Sequence, residues 1–579
     1  MSLRRYYEDE LAYLRDLGEN FARANPAIAG LLAKTAADPD VERLLEGFAF
    51  LTGRLRQRLD EELPELSHGM LALMWPHYLR PIPALSILEF DPPTAGAVQS
   101  VPGGAAVASR PIDGAACRFR TCFAVDVLPF TVTEATLETG AASAVLTLRL
   151  TGRGGAGIGA LAGRPLRLFL HGGRDPRLGA RLLRSMMTEL VAIEASDGTN
   201  RISLPLAGLR HAGFAENEAV LPWPANAPPG FRLLQEYLVF PERFLFVDLP
   251  PIPADAGLGG GQLQFRLRFG TSPDLPGRIG AENFRLNCVP VINLYAADAV
   301  PLTPSAQRAE HRVVALPPAG RTARIYSVDR VDGAVQGMAE RVRFHAFESF
   351  RHALPGQSGY FYRARVRPSV VGRGAETWLS FVDSADRLGA PAVDTISVAV
   401  TCTDGDLAEQ VAIGAIDQVA VGSPATGSFR NITPVTSEIA APLEGDTLWR
   451  LVSGLARSMR PFDDVVSLGA LIASYDFRAV QDEQAARRLT LLLEGLQHLE
   501  VETMDVLVDA IPVRGRRVTL GVAESGFGGA EGAYLFGAVL DAFIGVYAGL
   551  NVCHQLTLLG TEGNLRFTWP LRAGRQPML

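Results

Sequence analysis

LMWPHYLRPIPALSILEF, Leu73–Phe90, is the stretch on which the organisation of this chain turns. A helical pattern runs into it and a strand pattern runs out of it. Pro76, Pro81 and Pro83 lie between the two, crowded with Trp75, His77, Tyr78 and Arg80. Proline fixes φ, removes a backbone donor and pushes the preceding residue toward extended geometry. The three prolines therefore forbid continuation of the helix and prescribe a stiff, extended exit. The expected role of the stretch is a joint between a helical head and a β body.

Upstream of the joint the spacing is helical. Tyr7, Leu11, Leu14, Leu17 and Phe21 share one face, and NPAIAG and ADPD supply turn and cap chemistry. Val41, Leu44, Phe48, Leu51 and Leu55 then step by three and four as a short heptad seam, with Glu42, Glu46, Arg54, Arg58 and Glu62 on the other side. The seam fits either an antiparallel hairpin core or a surface that also packs against another chain. A third helix is expected from Pro64 to Trp75.

Downstream the period changes to two. ALSILEF, SAVLTLRL, RPLRLFL, GQLQFRLRF and CVPVINLY are short β-branched and aromatic runs separated by Gly, Pro and Asp. A second β-rich region holds RTARIYSVDRV, YFYRARVRPSVV, ETWLSFVD and TISVAVTCT. The last section mixes types: DEQAARRLTLLLEGLQHL reads as a helix, RRVTLGVA as a strand, Ala533–Leu550 as a helix and NLRFTW as a closing strand. The expected fold is multidomain α+β. Its blocks are a helical segment over 1–84, a mostly antiparallel β domain over 85–300, a second over 301–440 and a mixed α/β domain over 441–579.

Bulk properties narrow the function. At 579 residues, 47% apolar and 20% charged, the chain is long enough to bury several cores. A net charge of −7 argues against a nucleic-acid binder with a strong basic field. Lys34 is the only lysine, which points to GC-rich coding rather than selection for arginine. Five dispersed cysteines fit a reducing compartment, and the acidic amphipathic start does not read as a signal peptide. Ala533–Val552 approaches the length of a membrane span, but Asp541 at its centre would cost about 3 kcal/mol there. A buried helix is the better reading, in a cytoplasmic protein.

Chemical motifs fail one after another. Cys117 and Cys122 in CRFRTC have neither zinc nor redox spacing and read as core residues. TGRGGAG, Thr151–Gly157, matches a dinucleotide loop in outline, with Asp175 downstream, but IGALAG is a poor helix to receive a pyrophosphate. ESGFGGAEG, Glu524–Gly532, joins a strand to a helix, yet Glu531 stands where a phosphate loop needs a lysine. RVRFHAFESFRH, Arg341–His352, reads as a surface helix with charged partners; as a helix it would also gather His345, Glu348 and His352, but only as an incomplete metal set. His77 and Arg80 have no carboxylate pair or nucleophile beside them in sequence. No catalytic residue, metal ligand or cofactor is expected.

The blocks YYEDELAYLRDLGENFARANPAIAG, DPDVERLLEGFAFLTGRLRQRLDEELPEL, LALMWPHYLRPIPALSILEF, FRLLQEYLVFPERFLFVDL, FRLNCVPVINLY, IYSVDRV, VTLGVAE and YLFGAVLDAFIGVYAGLNVCHQLTL carry a family resemblance. Together they resemble the TssF family, also called ImpG or VasA, of the bacterial type VI secretion baseplate. The resemblance implies a fold similar to the wedge proteins of contractile-tail phage baseplates, with no enzyme activity and no cofactor. It implies two copies joined with one TssG, bound to TssK, around a central spike hub. TssE, VgrG and the TssB/TssC sheath follow as further neighbours, docked by the assembled baseplate to an inner-membrane complex. Neither nucleic acid nor a membrane span is implied.

Obligate interfaces of that sort bury more than roughly 2,000 Å² and favour aromatics and arginine. The expected contact residues are Tyr6, Tyr7, Val41, Leu44, Phe48, Leu51, Leu55, Trp75, His77, Tyr78, Arg80, Phe240, Phe244 and Phe246. A phage or tailocin wedge protein would share the mechanism. A β-rich carbohydrate-active enzyme or binding protein is the alternative of another class and would need paired carboxylates across a cleft.

Overall fold

The strand that leaves the joint, Leu85–Phe90, is buried on both of its faces. Leu85 and Ile87 enter the main core of the molecule, while Ala84, Leu88 and Phe90 enter a second one. Strict alternation with apolar residues on both sides is the pattern of a central strand between two packed layers. Ser86, also fully buried, is satisfied by donating to the Thr433 carbonyl at 2.9 Å.

The computed structural model describes residues 68–574 and scattered positions among residues 7–54. Within 68–574 the exceptions are 141–142, 225–226, 276–278, 306–307, 317–322, 336–340, 348–359, 370–373, 383–392, 424–426, 444–463, 509–510 and 548–551. Residues 68–74 are helical, and that helix ends where the Trp75 amide donates to the Leu71 carbonyl. The chain does not become extended at once. Pro76 opens a 3-10 turn, Pro76–Leu79, because a first-turn position tolerates a missing N–H. Extended geometry begins at Arg80, with φ −110° and ψ 142°.

Leu85–Phe90 lies in a six-stranded sheet between Cys288–Ile292 and Phe429–Asn431. A five-stranded antiparallel sheet stacks its apolar face onto the main core. Across it Leu146 faces Leu267, Leu148 faces Phe265 and Leu150 faces Leu263. A four-stranded sheet includes Leu166–Leu170 and Phe246–Leu249. Helices α1 (Leu178–Thr188) and α2 (Gly230–Val239) belong to the same body. Near the C-terminal end follow α3 (Val465–Tyr475), α4 (Glu483–Gly495) and α5 (Ala530–Tyr547). A last five-stranded sheet begins with the hairpin Leu496–Val508 and Ile511–Val522.

The topology divides the chain differently from the expected blocks. The seven-stranded sheet runs from Tyr295–Asp298 to Thr395–Thr403 and has its own core around Phe344, Leu379 and Val398. The following segment then returns to the first sheet, where Gln418–Val419 and Phe429–Asn431 form its two edges. Nor does the C-terminal part stand apart, since α5 packs on α1 and α2 and shares the main core. Asn293 and Asp404 close the neck between the bodies: Asn293 Nδ2 donates to Asp404 Oδ2, and the Asp404 amide returns a bond to Asn293 Oδ1, both at 2.8 Å.

Two local expectations are corrected. RVRFHAFESFRH is not helical at its start: Val342–Ala346 is a strand, parallel to Tyr360–Pro368, because Phe344 is buried at period two. His345 is therefore on a strand, and Glu348 and His352 lie outside the described residues. Helix α4 stops at Gly495, and Leu-Gln-His-Leu begins the next strand.

Helix α5 is apolar all round and buried accordingly. Among the described residues no helix is long and apolar enough to cross a membrane. Trp569 lies directly against the helix backbone at Gly537, where an added Cβ would come within 2.3 Å of the indole ring. Gly537→Ala should therefore lower unfolding stability by about 1–3 kcal/mol through overpacking. Urea denaturation of the full chain checks this, and an unchanged midpoint would contradict the close approach.

Candidate interaction surface and the charged core behind it

The joint residues are packed inward. Trp75, His77 and Tyr78 are all buried. The His77 ring lies 4.1 Å from Trp223 and 5.9 Å from Tyr475 between centroids. Tyr78 meets Tyr475 at 5.3 Å and Phe477 at 5.2 Å. Tyr475 stacks on Phe231, which in turn meets Phe543 edge-on. One ring cluster thus joins the entry to the first β-sheet, α2, α3 and α5. Arg80 is half-buried, with its guanidinium 5.5 Å from the Tyr326 ring centre.

The second aromatic group is internal as well. Phe240, Phe244 and Phe246 are at most 2% exposed. They line the main core, so this chain's own packing accounts for them, and they offer no surface ridge. PERF, Pro241–Phe244, is a 3-10 turn that carries Arg243 into the interior. Arg243 contacts Glu236 and the Gly213 carbonyl and donates to the Glu218 carbonyl at 3.0 Å. Glu236 also accepts from the Val220 and Leu221 amides at 2.9 Å each, with Arg232 at 3.7 Å.

The charge chain continues outward through Glu218 to Arg167 at 2.6 Å and from Arg167 to Asp248 at 2.7 Å. Burial alone would raise the Glu218 carboxyl. Arg167 and the backbone amides of Gly213 and Ala215 outweigh it and hold the group below its ordinary range. These contacts pin residues 213–221 to α2 and the sheet. That segment walls a cavity of about 590 Å³ with Arg120, Trp223 and Arg232. The sequence hid this network because its members are scattered. The only clue was charge inside the apolar run FRLLQEYLVFPERF.

A second buried charge group centres on Asp541 in α5. Arg572 Nε lies 2.6 Å and His554 Nε2 3.1 Å from its carboxylate. His554 and Arg572 are cross-strand neighbours, so the last strand Arg572–Ala573 is tied to α5. Reading Asp541 as an argument against a span found one member of this group and missed the other two.

The nucleotide-loop outlines are turns. Thr151–Gly157 leads into a four-residue 3-10 turn rather than a helix. In Glu524–Gly532 the left-handed residues Gly528 and Gly529 turn the chain into α5. Cys117 is fully buried and Cys122 half-buried, both as free thiols. Glu89 and Asp91 share a cleft of about 730 Å³. Glu89 is held by Arg285 and Arg430 at 3.3 Å each, and Asp91 accepts from Ser428. No group of three His, Cys, Asp or Glu side chains converges as metal ligands among the described residues.

What remains at the surface is the heptad seam. Phe48 is 56% and Leu51 59% exposed, while Ala49 between them is fully buried. Phe50, Met70, Leu73 and Met74 extend the apolar exposure around the helical head. Tyr7 is half-buried; Tyr6, Val41, Leu44 and Leu55 lie outside the described residues. At its described positions the seam faces away from this chain's interior.

Two perturbations probe the buried groups. Glu236→Ala strands two buried guanidinium groups and should cost about 3–5 kcal/mol in chemical denaturation. A loss below 1 kcal/mol would show that the network is solvated. His77 is pushed down to about 3 by burial and by Arg80. It stays neutral in the folded chain while the unfolded chain takes up a proton below pH 6.5. Stability should thus fall as pH drops from about 6.5 toward 3, by up to about 1.4 kcal/mol per unit for this residue. His77→Phe should flatten that slope relative to the unmutated chain.

Comparison with known proteins follows the same outline. A model for the TssF protein of the type VI secretion system matches residues 1–576. Type VI secretion system component TssF1 of Pseudomonas aeruginosa is 29% identical over an alignment of 623 positions that covers 99% of each chain. Among solved structures, a chain of a type VI secretion system TssK-TssF-TssG baseplate subcomplex superposes with a TM-score of 0.77 at 29% identity, covering 93% of this chain and 99% of that one. A chain of the type VI secretion baseplate complex matches over the whole of both chains with a TM-score of 0.61 at 27% identity.

Proposed function

The chain belongs to the TssF family of the type VI secretion system, and from that premise we propose that it is a structural subunit of the secretion baseplate that works by adhesion to neighbouring subunits. Its partners are TssG, TssK and a second copy of itself, two copies to one TssG. The wedge so formed surrounds the spike hub in the cytoplasm, docks to the membrane complex and is the platform for sheath assembly. The observation that carries this reading is the match, over 93% of this chain and 99% of the other, to a chain of a TssK-TssF-TssG subcomplex.

The physical reading of the chain agrees with that role. Its charged interior is spent on holding layers together, and the carboxylates of its polar cleft are engaged by arginine or serine. Shape and stiffness are what such a subunit supplies, and it carries out no reaction of its own. The seam at Phe48 and Leu51 is the adhesive surface proposed for TssG. Exposed aromatic and leucine side chains at helical spacing fit a groove on another helical chain.

Co-expression with TssG and TssK tests this. Phe48→Asp with Leu51→Asp should leave the melting temperature of the isolated chain nearly unchanged, because both positions are exposed. Recovery of TssG on the tagged chain should fall about tenfold or more, as for loss of an interface anchor of roughly 1.4 kcal/mol or above. Undiminished recovery would remove the seam from the interface. Failure of even the unmutated chain to retain TssG and TssK would overturn the baseplate reading.

A further inference from the structure

The hairpin strand Leu496–Val508 is the outermost strand of its sheet and spans 13 residues, about 40 Å of extended chain. Its inner neighbour Ile511–Val522 pairs onward with Val552–Gly560, but that pairing begins only at Arg514. The hairpin tip therefore reaches beyond the sheet. Gln497, His498, Glu500, Val501, Glu502, Thr503 and Asp505 are exposed, and Leu499, Met504 and Val506 are half-buried. The strand thus meets solvent on both faces and along one edge.

Sheets guard such edges with short strands, prolines, lysines or bulges. Other outer strands of this chain follow that rule. Gln418–Val419, Phe429–Asn431, Arg210–His211, Phe284–Arg285 and His311–Val313 are two or three residues long. The other long edge, Phe130–Thr139, is interrupted between Val132 and Glu134. Leu496–Val508 has no proline or lysine, and its one irregularity lies at its base, between Leu496 and His498. Beyond that point it is regular, and among the described residues no strand pairs with its outer edge, which makes it a template for one.

Charge says what kind of strand. Glu500 and Glu502 project on one face, with His498 3.8 Å from Glu500. Glu502 already has Arg517 opposite it on the inner strand, at 3.4 Å, whereas Glu500 faces Thr519. A second copy of this hairpin is a poor occupant. Two-fold antiparallel pairings centred on residue 500, 501 or 502 set a glutamate opposite a glutamate, which is destabilising. A strand with arginine or lysine at alternate positions would instead flank both acids. We infer that the free edge of Leu496–Val508 docks an extended basic segment of a partner protein, which joins the sheet as an added strand. This inference stands on the hairpin and goes beyond the assembly role described above.

Fluorescence anisotropy on the full chain tests it. The probe is a labelled nonapeptide of alternating arginine and valine, beside the same peptide N-methylated at alternate amides. Strand addition needs both backbone and charge. The unmethylated peptide should bind at least tenfold tighter than its methylated form. Glu500→Gln with Glu502→Gln should weaken it at least tenfold with little change in melting temperature, because both positions are exposed. Equal affinity for both peptides would reduce the contact to charge alone and overturn the inference, as would binding indifferent to the two substitutions. A concentration-dependent dimer that the peptide competes apart would give the edge to a second copy and overturn it too.

Discussion

The ring cluster at His77, Tyr78, Trp223, Phe231, Tyr475 and Phe543 is the contact on which the rest of the molecule depends. Its members come from distant parts of the chain and meet at one point just past the end of the 68–74 helix. Aromatic rings bury large areas in few side chains, and offset or edge-on pairs add about 0.5–1.5 kcal/mol each beyond burial. Both ring nitrogens of the buried His77 lack a hydrogen-bond partner among the described residues, so this ring is held by packing. A 3-10 turn led by proline delivers both residues to it, and the chain then enters a strand buried on both faces. The 68–74 helix is thereby coupled to the first sheet and to the C-terminal helices.

Around that hub the chain uses charge as an internal tie. Isolated buried charges are costly, and buried pairs hold only when their remaining donors and acceptors are satisfied. Glu236 is held by two amides and the Arg243 guanidinium, and Asp541 by Arg572 and His554, although among the described residues Arg243 Nε and His554 Nδ1 find no acceptor or donor of their own. Each tie joins elements far apart in sequence: a loop to a helix in one case, the last strand to α5 in the other. Buried groups of this kind resist sliding between layers, because any displacement leaves an unpaired charge in an apolar interior. That suits a structural subunit of a baseplate.

Much of the fold was legible because its elements are locally consistent. The helix that ends at the joint, the change to period two after Leu85 and the burial of Ala530–Tyr547 all follow from spacing and polarity. Val342–Ala346 was misread because Val, Phe and Ala at alternate positions also fit part of a helix face. The candidate surface was legible only in part. Phe48 and Leu51 carry a seam spacing that both a core and a contact satisfy, and Phe240, Phe244 and Phe246 carry an aromatic density that both share. Burial distinguishes the two cases, and burial belongs to the whole fold.

The sequence by itself determined most element types, the break at the prolines and the family, since these rest on local periodicity, proline geometry and ordered blocks of residues. Tertiary structure alone decided which aromatics face inward, how residues 405–440 return to the first sheet, and which acid meets which arginine. Those outcomes depend on pairings between residues far apart along the chain. Local preference cannot specify them, because the energy of a contact exists only once the intervening chain has brought its two sides together.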